Sequence, residues 1–206
     1  MDKFCSCLSA FLLFGCTGSA PSIANFMASE NIITESTQRI YGDLIREEAS
    51  YSDIYTDETD ANIDFGIYAG TSSRFGITLG SMGLSPTLGW RNQFLGVATW
   101  ANLDITGNAF VTGGIALAQK YGFNERLMIG LYQYCSRNTI NKWSNGELFR
   151  SAEGSTHFNE LGLGAFLQIR LFDHMILSFE PKLGNQLHSD ARRYYLTINI
   201  AYALPH

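Results

Sequence analysis

The chain has 206 residues and a formal net charge of -5, with 46% hydrophobic and only 16% charged residues. These proportions exclude a disordered acidic chain, and the mild acidity excludes a nucleic-acid binder, which needs a basic stripe. Of four cysteines, Cys5, Cys7 and Cys16 fall in the first 16 residues, so Cys135 stands alone in the rest and a disulfide scaffold is excluded.

Residues 1–24 read as a signal peptide. Met1-Asp2-Lys3 precedes an apolar run from Phe4 to Gly15, too short to span a bilayer as a helix and suited to the apolar region of a secretory leader. Small residues at Ser22 and Ala24 place the expected cleavage before Asn25. A second reading is lipoprotein processing: Leu13-Phe14-Gly15-Cys16 resembles a lipobox, with Cys16 as the lipidated residue. Either route exports the chain.

Residues 25–60 read as an acidic extension, with nine acids against Arg39 and Arg46, whereas 61–206 hold nine acids and eleven bases. Ile40, Tyr41, Leu44 and Ile45 recur near helical spacing, and Thr34 or Ser36 can cap. A short amphipathic helix is predicted over 36–48, followed by an acidic linker.

From residue 61 the period is two, so alternate residues share one face of a strand. Strands are predicted over 62–70, 74–82, 94–103, 109–118, 127–135, 160–171, 175–183 and 194–204. In the last three, Leu161 to Leu171, Met175 to Leu183 and Tyr194 to Leu204 alternate with Gly, Tyr, Thr and scattered charge. The strands are longer than the five or six residues usual in soluble proteins and match the roughly nine to eleven of tilted membrane strands. The second face is too small and too poorly charged to coat a soluble sheet. Turned inward, with the apolar face toward lipid, it fits a barrel. Open edges do not survive in hydrocarbon, and eight strands enclose a lumen that side chains fill. The reading is therefore all-β: an eight-stranded antiparallel transmembrane barrel over 61–206, after a short N-terminal helix and extension. With a periplasmic N-terminus, the loop 136–156 faces outward, as it should. Gly70 to Ser73 and Ile105 to Asn108 are short for outward loops, and Gly83 to Gln93 is long for an inward one.

On this pattern, residues 61–206 resemble a small bacterial outer-membrane β-barrel, which implies the outer membrane as location and its lipid and lipopolysaccharide as partners. The run Phe158-Asn159-Glu160-Leu161-Gly162-Leu163-Gly164-Ala165, followed by two closing strands, resembles the lipid A 3-O-deacylase family. That family is implied to use His and Ser two apart on the penultimate strand, where both share a face. Here His188, Ser189 and Asp190 are consecutive and the family's catalytic residues do not carry over. These three remain the only catalytic candidates.

Asp64, Arg74, Glu160, Arg170, Glu180 and Lys182 all fall on the inward face. Buried charges persist when paired, and three acids against three bases read as a lumen charge network. His157, His174, His188 and His206 show no metal-ligand spacing, and nothing implies a cofactor. Lys142, Trp143, Phe149 and Arg150 mark 136–156 as the place for a host or surface ligand. The function expected is a structural or surface-interaction barrel. The alternatives are a lipid A acyl-modifying hydrolase and a soluble periplasmic β-barrel binder.

Overall fold

The computed structural model describes residues 21–41, 61–80, 83–103, 111–124, 126–143, 152–188 and 192–204. A short helix, α1 (Ile23–Met27), precedes ten strands: β1 (Ile32–Tyr41), β2 (Ala61–Ala69), β3 (Ser73–Gly80), β4 (Gly83–Arg91), β5 (Leu95–Leu103), β6 (Val111–Asn124), β7 (Leu127–Trp143), β8 (Ala152–Phe172), β9 (Met175–Gln186) and β10 (Arg192–Ala203). Every strand pairs with its neighbour in sequence, and β1 closes on β10 to complete a barrel. The seam is antiparallel and runs from Ile32 opposite Ala203 to Tyr41 opposite Tyr194.

The predicted count of eight strands is thus corrected to ten. The first strand missed is β1, read in part as a helix over 36–48. Its described portion is extended and hydrogen-bonded to β2 and β10. Ile32, Ile33, Thr34, Thr37 and Ile40 are β-branched, which favours a pleated strand, and the sheet edge at β10 supplies the partner. The second is β4, where Pro86 argues against a strand. The chain accommodates it by breaking one ladder. β4 pairs with β3 throughout, but its pairing with β5 skips Ser85 and Pro86. Pro181 in β9 is handled alike: the ladder to β8 skips Glu180 and Pro181.

With β1 and β4 restored, the turn after Gly70 moves to the end with short connections and most of 83–93 becomes strand. One end carries the turns 70–72, 92–94, 125–126 and 173–174, and also the start of β1 and the end of β10. The other carries 42–60, 81–82, 104–110, 144–151 and 187–191. Apart from 81–82, the connections at the second end are longer than those at the first, the asymmetry of outer-membrane barrels. Much of the expected 136–156 loop is strand, since β7 runs on to Trp143 and β8 starts at Ala152.

The faces follow the alternation. On β8, Leu161, Leu163 and Leu171 are exposed, while Phe158, Glu160, Gly162, Phe166 and Gln168 are buried. Exposed large apolar residues continue around the barrel from Phe65 and Ile67 through Leu117 and Leu131 to Ile200. Near the short-turn end, Phe75, Trp90, Phe94, Tyr121, Phe172 and Tyr202 point outward, forming an aromatic girdle at the edge of the apolar band. Tyr194 stands exposed at the other end of β10.

Inward aromatics sit over glycines on the next strand. Tyr68 faces Gly76, Trp100 faces Gly114, Phe166 faces Gly130, and Tyr132 and Tyr134 face Gly164 and Gly162. A Cβ on Gly162 would lie 2.3 Å from the Tyr134 ring, so these glycines are the floor on which rings lie.

Leu167, opposite Ile129 and Phe179, lies near the middle of the outward run from Leu161 to Leu171. Leu167→Arg is expected to cost about 2–4 kcal/mol of stability in lipid. Urea unfolding in vesicles measures it, and an unchanged midpoint would contradict the lipid-facing assignment.

Candidate functional site

The lumen is filled by the chain's own N-terminal segment. Residues 21–28 are buried, and Ile23, Phe26 and Met27 reach 0% exposure. They pack in one cluster with inward wall residues such as Ala98, Trp100, Ala116, Ala118, Tyr132 and Ala201. Two wall glycines make room: a Cβ on Gly96 would sit 2.3 Å from Met27 Sδ, and one on Gly89 would sit 2.7 Å from Phe26. Full burial of each large apolar side chain is worth about 1.5–3 kcal/mol.

Side chains, not a β-ladder, hold this plug. Ser22 caps α1, accepting from the Asn25 N–H at 3.1 Å, and its hydroxyl donates to Glu180. The Ile23 N–H (3.0 Å) and Asn199 Nδ2 (2.8 Å) donate to the same carboxylate. Glu180, 0% exposed, is thus satisfied by the plug and by β10. Asn25 Nδ2 donates to Thr34 Oγ1 at 2.9 Å.

Below α1, toward the short-turn end, four wall cations take hold. Arg74 donates to the carbonyls of Asn25 (3.2 Å), Glu30 (2.7 Å) and Gly70 (3.0 Å). Arg91 donates to Ser29 O (3.0 Å) and Lys120 to Met27 O (3.2 Å). Arg170 pairs with the Glu30 carboxylate. Carbonyls at the end of a helix lack intrahelical donors; Lys120 supplies one to the buried Met27, while Asn25 O also accepts from the Ala28 N–H. Beside this ring a cavity of about 610 Å³ opens among Lys120, Arg126, Arg170, Glu30 and Asp173.

Nearer the long-loop end lies a second carboxylate. Glu160, 1% exposed, accepts from Tyr134 at 2.6 Å and Tyr195 at 2.8 Å and pairs with Arg193 at 3.4 Å. The Arg193 guanidinium stacks 3.6 Å above the Phe158 ring centroid. This group hugs the wall from β7 to β10.

Asp64, Arg74, Glu160, Arg170, Glu180 and Lys182 all occupy inward positions. Their hydrogen bonds and ion pairs go to different partners. Arg74 and Arg170 go to the plug, Glu180 to the plug and Asn199, and Glu160 to two tyrosines and Arg193. Lys182 interacts electrostatically with Glu180, Glu160 and Asp64. Sequence reasoning missed Arg91, Lys120 and Arg193, which lie in the missed strand or just beyond predicted strand ends. With them, the named inward wall charges number six cations against three acids. That imbalance was the available signal for a missing partner. His188 is exposed in the turn after β9, with φ 66. Ser189, Asp190 and Cys16 lie outside the described residues, as does the predicted leader through residue 20. Cys135 faces outward on β7.

No family model and no curated protein matches the chain. Among solved structures it is similar to surface protein A of Neisseria, at 11% identity, covering 86% of this chain and 98% of that one, with a TM-score of 0.41. It is similar to Ail, the attachment invasion locus protein of Yersinia pestis, in complex with the heparin analogue sucrose octasulfate, at 11% identity, 85% and 97% coverage and a TM-score of 0.42. It is also similar to the N-terminal β-barrel domain of Pseudomonas aeruginosa OprF, at 7% identity, 85% and 100% coverage and a TM-score of 0.42. The chain's own geometry makes it an outer-membrane barrel: a closed antiparallel sheet, apolar outside, polar inside, with short turns at one end.

Glu160→Ala is expected to destabilise the barrel by about 3–5 kcal/mol, because Arg193 is left as an uncompensated buried charge. Adding Arg193→Ala should recover part of that loss. A double-mutant cycle on urea midpoints measures it, and strict additivity would contradict the pairing.

Proposed function

We propose that this chain serves the outer membrane as a plugged barrel with a structural or surface-interaction role, its long-loop end facing outward. The observation that carries this is the pairing of an apolar outer face with a lumen occupied by the chain's own segment. Such a barrel presents its loops, and its plug blocks a continuous path through the interior. The β7–β8 hairpin is the longest element at the outward end, with strands of 17 and 21 residues. Lys142 and Trp143 at its tip, with Phe149 and Arg150 in the connection, suit an anionic surface ligand such as a lipopolysaccharide headgroup. Heat-modifiable migration of the membrane-extracted protein tests insertion. Boiled and unboiled samples are expected to run differently, and identical migration would contradict the barrel. Lipid A from cells carrying the inserted protein is expected to keep its mass. Loss of one acyl chain would instead make the chain a hydrolase.

The plug also bears on processing. Cleavage before Asn25 would remove Ser22 and Ile23, taking two hydrogen-bond donors from the buried Glu180 and the cap from α1. The expected mature chain therefore retains Ser22. An intact mass of the membrane protein shows where it starts, and a start at Asn25 would refute this.

A further inference from the structure

We infer that the plug is removable and covers an anion-selective lumen, with Arg74, Arg91, Lys120 and Arg170 as the selecting ring. This rests on the membrane-barrel reading above. Three features of the structure support it.

First, the plug is built to leave without dismantling the wall. It enters no sheet; β1 begins after it, at Ile32, and the ten-strand circuit closes through β1 and β10 alone. Ten strands enclose a wider lumen than the eight that side chains fill, so withdrawal opens a space that water occupies. Water can then take over the hydrogen bonds that the wall cations give to plug carbonyls.

Second, the ring is charged with one sign. Arg74, Arg91 and Lys120 stand close enough to repel one another. Most of what compensates them now belongs to the plug: the carbonyls of Asn25, Met27, Ser29 and Glu30, and the Glu30 carboxylate on Arg170, while the wall adds the carbonyls of Gly70 to Arg74 and of Asp173 to Arg170. Take the plug groups away and four cations from β3, β4, β6 and β8 face an aqueous channel. A constriction lined by one sign of charge concentrates counter-ions, and rings of Arg and Lys select anions.

Third, the ring is already reachable from one side. The 610 Å³ cavity meets it at Lys120 and Arg170 and carries Arg126 and Asp173 as its further charges once Glu30 has gone. At the other end, the Glu160 group lies along the wall from β7 to β10.

The test is conductance in planar bilayers with KCl as the probe. The full chain, carrying a protease site inserted between Glu30 and Asn31, so that Glu30 leaves with the plug, is folded, shown to be inserted by heat-modifiable migration, and then cut. Conductance is expected to rise severalfold on cutting, with a reversal potential in a KCl gradient of the sign set by chloride. Arg74→Ser with Lys120→Ser in the cut protein should reduce that selectivity. A second protein lacking residues 21–31 should conduct without cutting. An inserted, cut barrel that stays closed, or one that prefers potassium, overturns the proposal. Failure of migration to shift on heating would instead overturn the barrel reading itself.

Discussion

The structure depends on one constraint: in hydrocarbon, a sheet cannot keep an unpaired edge. The hydrogen bonds between β1 and β10 remove the last edge. Because β1 takes part in that seam, the barrel has ten strands. Ten strands give a lumen that wall side chains alone do not fill. The chain immediately ahead of β1 is delivered to the barrel mouth by the seam itself, and it fills the space. Closure, strand number and plug are therefore successive consequences of one requirement.

The plug shows how a lumen with surplus positive charge is made compatible with burial. An isolated buried cation is costly, yet Arg74 is only 2% exposed. The solution is mostly dipolar. A one-turn helix and the chain after it present successive carbonyls, and the wall cations converge on them, with Glu30 as the one carboxylate contributed. Glu180 is the mirror case, a wall anion satisfied by a plug hydroxyl and a plug N–H. Glu160 differs in kind, since Tyr134, Tyr195 and Arg193, which hold it, all come from the wall. The lower lumen thus needs the plug to be complete, and the Glu160 group does not.

Much of the barrel was legible in the sequence, because the pleat forces side chains to alternate and lipid forces one face to be apolar. The runs Leu161 to Leu171 and Tyr194 to Tyr202 declared their faces without any structure. What stayed hidden has physical reasons. β1 carries Thr34 and Ser36 inward and Glu35 outward, so its pattern lacks contrast, and the sequence spacing of Ile40, Tyr41, Leu44 and Ile45 favoured the helical reading, whose part beyond Tyr41 lies outside the described residues. β4 holds a proline whose broken ladder can be seen only once the neighbours are known. The plug was hardest to see, since Ile23 to Met27 continues the apolar leader and nothing local distinguishes a lumen from a signal sequence. The charge network was half legible: the inward positions were readable, but the partners lay in segments not yet recognised as part of the barrel.

The two interrupted ladders leave backbone groups to be satisfied. Pro86 weakens the β4–β5 boundary and Pro181 the β8–β9 boundary, four strands apart in a ring of ten. At each, two residues in mid-strand give up their partners on one side while the other side stays paired, so the backbone groups left over must be satisfied without the ladder. In a hydrocarbon setting that demand falls on side chains, water or the neighbouring strand, because lipid offers none.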